Sequence, residues 1–193
     1  MTSSSDYYYL KQNLKDLLTA RSLQRGDFVL SSGQHSSFYI DARLTTMSGE
    51  GLTLIGALGL ERLAARDWRP QAIGGLTLGA DPVAYAVAAA ARGRGLALDA
   101  FTVRKQAKAH GTGKRIEGCF QPGAPVVIAE DVITTGGSAL EAISVVEQAG
   151  GTVLGVLAVV DRQEGGGDAL ALAGYPVEAL FTAAELGLDA DPR

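Results

Sequence analysis

Short apolar runs rich in Val, Ile and Leu recur at 72–76, 97–103, 125–129, 152–160 and 177–181, with helical stripes at 81–92 and 137–149 between them. Strands buried on both faces read as near-continuous apolar runs, and strands alternating with helices build parallel βαβ units. The pattern predicts an α/β protein with a central, mostly parallel sheet flanked by helices. In such sheets ligands bind beyond the carboxyl ends of the strands, so the chemistry is sought in the segments that follow them. At 193 residues the chain fits one domain, 1–193, with room for a small subdomain.

Ahead of this alternation, Leu10, Leu14, Leu17 and Leu18 share one face at helical spacing and predict a helix over 7–22, and a second stripe covers 50–66. Between them, extended runs at 27–30 and 38–41 flank a Gly/Ser-rich turn, 31–37, which reads as a hairpin with His35 in the turn. On local evidence an edge flap without a ligand explains this hairpin as well as a binding element does. Gly165-Gly166-Gly167 reads as a flexible turn, and residues 190–193 as a loose tail.

Composition excludes several functions. The 47% hydrophobic content supplies a core, and no run approaches the roughly 18 apolar residues of a membrane span. Residues 1–6 are polar and lack the apolar stretch of a secretory signal. Seventeen basic against 21 acidic residues give a net charge of −4, which disfavours nucleic acid as a partner. A single cysteine, Cys119, precludes an intrachain disulfide and reads as a small, buried or half-buried filler. The expected compartment is the cytoplasm.

The stretch 126–138 carries the strongest chemical signal. A buried strand ends in Glu130 and Asp131, and Val132, Ile133, Thr134, Thr135, Gly136, Gly137 and Ser138 then lead into a helical stripe. Small residues at a helix N-terminus let backbone N–H groups face an anion, and Thr134, Thr135 and Ser138 add hydroxyl donors. Two carboxylates would repel a phosphate unless they serve another part of the same ligand. Carboxylates accept from paired hydroxyls, so a ribose diol beside a 5′-phosphate satisfies both halves of the motif. A Walker loop and a dinucleotide fingerprint are both absent.

A second signal is positive. Residues 104–115 hold five of the 17 basic residues and no acid, where even spreading would give about one. The cluster follows a predicted strand, so it starts at the ligand-binding edge. Mobile cations closing over a phosphate-bearing ligand account for it. A solvated basic loop is the plainer alternative. A nucleic-acid patch is a third, although no aromatic is interleaved for base stacking.

The stretch 126–138 closely resembles the phosphoribosyl pyrophosphate signature of the type I phosphoribosyltransferases. That resemblance implies their fold: a parallel sheet flanked by helices, with a small hood formed mainly by about 1–45 and a C-terminal contribution. It also implies Mg²⁺ held mainly by substrate oxygens, with no dedicated protein metal site. The pattern Arg104-Lys105-x-x-Lys108-x-His110-Gly111 is similar to that of the orotate phosphoribosyltransferases. In those enzymes the matching loop contacts pyrophosphate, often reaching across a homodimer, so Arg104, Lys105, Lys108 and His110 carry over. Lys114 and Arg115 match no family role.

The hood resemblance rests on Gly26, Asp27, Phe28, Leu30, Ser32, Gly33, Ser36, Tyr39, Asp41 and Arg43, and places Tyr39 beside the orotate ring. Asp161-Arg162 would be a surface pair by default, yet the family match makes Arg162 the orotate-binding arginine and adds Thr134 from the phosphate loop. Residues 74–82 resemble a second loop that approaches pyrophosphate through its backbone. Many members carry lysines where Ser31 and Gly79 stand here.

The implied reaction is displacement of pyrophosphate from phosphoribosyl pyrophosphate by orotate, giving orotidine 5′-monophosphate for UMP synthesis. Lys108, Arg104, His110 and Asp131 are the expected catalytic group. A purine phosphoribosyltransferase and a non-catalytic phosphoribosyl pyrophosphate sensor are the competing readings.

Overall fold

A computed structural model describes residues 4–29, 35–106 and 114–188. Along the chain run α1 (Ser4–Arg21), β1 (Leu23–Val29), β2 (His35–Ile40), α2 (Arg43–Thr46), α3 (Gly49–Ala65), β3 (Ala72–Leu76) and α4 (Ala80–Gly93). There follow β4 (Asp99–Val103), β5 (Ile116–Gly118), β6 (Pro125–Ile133), α5 (Gly137–Gln148), β7 (Thr152–Asp161), α6 (Gly166–Leu172) and β8 (Val177–Thr182). A 3₁₀ turn, Ala184–Leu186, comes last.

Six strands form one sheet in the order β5-β4-β3-β6-β7-β8. All neighbours are parallel except β4 and β5, whose antiparallel pairing closes one edge. The side-chain period of two sends β6 residues to alternate faces. Val127 and Ala129 enter a core with α1, α3 and α4, through Leu14, Leu18, Ile55, Leu58, Val83 and Val87. Val126 and Ile128 enter a second core with α5 and α6, through Ala142, Ile143, Val146 and Leu170. Covering both faces is why these strands read as unbroken apolar runs. The expectation of an α/β protein with a central, mostly parallel sheet flanked by helices holds.

Local chemistry sets the element ends. Ser48, extended at φ −86° and ψ 147°, caps α3 by accepting a hydrogen bond from the Gly51 N–H. Gly136, at φ 81°, occupies the left-handed region where the chain turns from β6 into α5.

The hairpin β1–β2 stands apart as a two-stranded antiparallel sheet with a register shift between Arg25 and Phe28. Alternation along β2 buries Phe38 and Ile40 and leaves Tyr39 38% exposed. C-terminal residues tie to this region, with Lys11 pairing with Glu185 at 2.7 Å and Arg25 donating to the Gly187 carbonyl.

Several expectations are corrected. His35, expected in the turn, opens β2 opposite Val29. Gly165-Gly166-Gly167 is only partly a turn: Gly165 has φ 90°, while α6 begins at Gly166. Cys119, expected buried or half-buried, is exposed, because it follows the short edge strand β5. The expected tail, 190–193, lies outside the described residues. Among the described residues no helix is long and apolar enough to cross a membrane.

Candidate active site

β6 continues past its apolar run and carries both acids into the ladder, where Glu130 pairs with Ala158 and Ile133 with Asp161. Glu130 is 5% exposed, and its Oε1 has no hydrogen-bond partner among the described residues. Burial, reinforced by the charge on Asp131, pushes its carboxyl up to about 8. Asp131 is half-buried, and burial raises its pKa too, opposed by the Val132 N–H that donates to Oδ1 at 2.8 Å. Neither acid is turned toward bulk solvent. A buried carboxyl with a spare acceptor oxygen, followed by a half-buried one, is suited to donors arriving on a ligand.

The turn beyond them is built for an anion. Gly136 opens α5 without a side-chain cap, so the first-turn N–H groups of the helix face outward with the positive end of its dipole. Gly137 and Ser138 are exposed at that terminus, Thr135 is exposed beside it, and Thr134 is half-buried. Val132 is half-buried, and the Ile133 side chain packs in the core, leaving Ile133 only backbone to offer a ligand. Gly166 supports the turn from behind, since a Cβ there would lie 2.4 Å from the Thr134 carbonyl oxygen and 2.7 Å from the Gly136 nitrogen.

The loop from β3 into α4 borders the acids. A Cβ on Gly79 would sit 2.5 Å from Asp131 Oδ1, so the carboxylate occupies the space of the missing side chain. Asp81, in the first turn of α4, accepts from the Thr77 and Thr102 hydroxyls, both at 2.7 Å, and so ties this loop to β4.

Arg104 and Lys105 leave the end of β4 at the same edge, with Arg104 half-buried and Lys105 exposed. Arg104 N–H donates to the Arg115 carbonyl at 2.8 Å, and the Thr77 N–H donates to Val103, which joins this departure point to the β3 loop. Lys108 and His110 lie outside the described residues, as does Ser31.

On the hood side, Tyr39 packs its ring 5.8 Å from that of Phe28. Asp41 and Arg43 form a two-point ion pair, at 2.8 and 3.0 Å, that holds the Asp41 carboxyl below the usual carboxylate range. Arg162 is no surface partner of Asp161. It is 6% exposed, stacks its guanidinium 4.7 Å over the Phe38 ring and pairs with Glu164 at 2.7 Å. Its backbone N–H donates to the Ile133 carbonyl, so the arginine is moored to the strand that carries the acids.

Sequence reasoning missed three supports: the Gly79–Asp131 contact, the Gly166 buttress and the Asp81 network. Each joins residues distant in the chain. In the first two only the glycine left a trace, and glycine has many uses; the Asp81 network left none.

No protein-family model matches the chain. The orotate phosphoribosyltransferase of Thermosynechococcus vestitus is 47% identical over 178 residues, covering 92% of this chain and 93% of its own. That of Streptomyces avermitilis is 45% identical over 181 residues, covering 93% and 96%. The crystal structure of the Mycobacterium tuberculosis H37Rv enzyme with 5-phospho-α-D-ribosyl 1-diphosphate superposes with a TM-score of 0.80 at 40% identity, covering 93% of this chain and 99% of that one. With such identity spread over nearly the full length of both partners, this chain belongs to the orotate phosphoribosyltransferase family.

Proposed function

We propose that this chain transfers the ribose 5-phosphate of phosphoribosyl pyrophosphate to a ring nitrogen of orotate, releasing pyrophosphate and forming orotidine 5′-monophosphate. The observation that carries the reading is the uncapped start of α5 following a buried and a half-buried acid, the first with an oxygen unpartnered among the described residues. One end of that arrangement suits a phosphate and the other suits vicinal hydroxyls. The M. tuberculosis relative binds this sugar diphosphate, and membership of the orotate family favours orotate over a purine or a silent sensor.

Residues 134–138 hold the 5′-phosphate through N–H groups and hydroxyls. Glu130 and Asp131 accept from the ribose 2′- and 3′-hydroxyls, and Val132 and Ile133 shape the wall between. Tyr39 lies against the orotate ring, and Arg162 donates to its carbonyl edge. As the anomeric bond lengthens, negative charge gathers on pyrophosphate, and Arg104, Lys105, Lys108 and His110 stabilise it. No nucleophilic side chain is required: positioning and charge do the work.

The residues present fit Mg²⁺ carried in by substrate. Among the described residues no group of three or more His, Cys, Asp or Glu could hold a metal, whereas Glu130 and Asp131 offer hard oxygens at one side. Such an ion keeps substrate oxygens and water as most of its ligands. When bound it supplies Lewis-acid neutralisation of the diphosphate.

The chain acts as one domain, with its hood built from α1, β1 and β2 and the C-terminal residues, and works in the cytoplasm. It forms a homodimer in which residues 104–115 reach the partner's site. A loop completing a neighbour's site would require that assembly.

Orotate consumption followed by absorbance, with and without Mg²⁺, tests the reading, with adenine and hypoxanthine as alternative acceptors. Orotate turnover dependent on phosphoribosyl pyrophosphate is expected. Turnover of a purine instead would overturn it.

A further inference from the structure

Arg115 has no role of its own in the reading above beyond its place in the segment 104–115, yet it makes a concentrated set of contacts. Its Nε donates to the Arg104 carbonyl at 2.9 Å and its Nη2 to the Lys105 carbonyl at 3.0 Å. The same Nη2 pairs with Glu141 of α5, and the Arg115 carbonyl accepts from the Arg104 N–H. One guanidinium thus joins the outgoing end of the basic segment to its returning end, and joins both to the helix whose N-terminus faces the phosphate.

We propose that Arg115 is a positioning residue, fixing the Arg104-Lys105 peptide relative to α5 so that their cations are aimed before pyrophosphate departs. The inference rests on the reading of residues 134–138 and 104–105 given above. Stability is a poor reason for this arrangement. Arg115 and Glu141 are both partly exposed, and ion pairs of that kind contribute little to folding. What the contacts do fix is geometry. Arginine presents several donors in a rigid planar fork and can hold two carbonyls and a carboxylate together, whereas lysine offers one flexible point charge. Donors held in place before reaction need no reorganisation in the transition state, so their loss falls on the chemical step.

The test is steady-state kinetics on wild type, Arg115→Ala, Arg115→Lys and Glu141→Gln, with urea unfolding of each. Arg115→Ala should lower kcat about tenfold while both substrate KM values stay within about twofold. Arg115→Lys should recover only a minor part of that loss. Glu141→Gln, which keeps an acceptor oxygen but no charge, should fall between wild type and Arg115→Ala. Unfolding midpoints should coincide. Wild-type kcat in Arg115→Ala, full rescue by lysine, or a kcat loss matched by a falling midpoint would overturn the proposal. A wild-type enzyme without orotate turnover would instead overturn the reading on which it rests.

Discussion

Replacing Glu130 by glutamine removes a charge that the fold buries without a partner, and the consequence for stability has a definite pH signature. Burial, with the Asp131 charge adding to it, raises the Glu130 carboxyl from 4.5 to about 8. Below pH 4.5 this acid is protonated in both folded and unfolded chains and leaves stability unaffected. Between 4.5 and about 8 the unfolded chain has released the proton while the folded chain keeps it, so stability falls as pH rises, by about 1.36 kcal/mol per unit. Above that window both forms are ionised and the penalty levels off. From these values the penalty is about 2 kcal/mol at pH 6 and close to 5 kcal/mol at pH 9.

Glutamine has nearly the same shape and no such titration. The free-energy difference between Glu130→Gln and wild type should therefore widen by about 3 kcal/mol from pH 6 to pH 9, in favour of the variant. Urea unfolding at 25 °C and pH 6, 7.5 and 9 measures this difference, and taking it between two proteins cancels the shared titrating groups that are not coupled to Glu130, as Asp131 is. The stabilised variant should be a poor enzyme, because a glutamine amide cannot accept from a ribose hydroxyl through both of its heavy atoms. A gap that stays constant with pH would refute the buried, unpartnered acid.

The remaining expectations concern ligands. At pH 7 Glu130 is largely protonated, and hydrogen bonds to the ionised form pull a pKa down; ribose 5-phosphate should thus release up to about one proton per site, read by calorimetry in buffers of different ionisation enthalpy, and Glu130→Gln should release none. Gly79 has φ −63°, which alanine adopts freely, but its Cβ would meet Asp131 Oδ1 at 2.5 Å. Gly79→Ala should raise the KM for phosphoribosyl pyrophosphate tenfold or more, roughly the effect of a misplaced reacting group, with little change in unfolding midpoint; wild-type kinetics would show that Asp131 is not held where it matters. Arg162→Lys loses the planar fork and the stacking on Phe38, so the orotate KM should rise on the order of tenfold while that of phosphoribosyl pyrophosphate holds. Equal increases in both would remove Arg162 from base recognition.

The sheet was legible because its strands are buried on both faces: β3 occupies 72–76, as its apolar run predicts. β6 was read short. Its apolar run stops at Ala129, but the ladder to β7 continues through Glu130 to Ile133, since pairing with a neighbour can hold polar residues in a strand that hydrophobicity alone would end. β5 has only three residues, and its pairing with β4 is antiparallel, too little for a periodic signal. α6 was hidden by its glycines. Gly166 is required by the 2.4 Å approach to Thr134, a constraint from across the fold that looks like flexibility in the sequence. The chemistry of residues 130–138 was plain because phosphate and diol recognition use contiguous residues. The contacts of Gly79 and Arg115 were not, because they join segments that only folding brings together.

The cost of Glu130 also explains where in the molecule it stands. An unpartnered buried acid with its pKa near 8 works against folding at neutral pH, and it can persist only where neighbouring packing offsets it. Val127, Ile128 and Ala129 precede it, Ala158 lies across from it, and Val159 and Val160 continue that neighbour; all six are buried and belong to one or other of the two cores. The acid sits within the paired length of β6, just past its apolar run, where the ladder to β7 fixes its backbone. A ligand hydroxyl that donates to it satisfies the oxygen the fold leaves open, so sugar binding removes part of a penalty already present in the free protein. The same feature that lowers stability thereby raises selectivity, because a phosphate-bearing molecule without hydroxyls at that position leaves the carboxyl buried and unsatisfied.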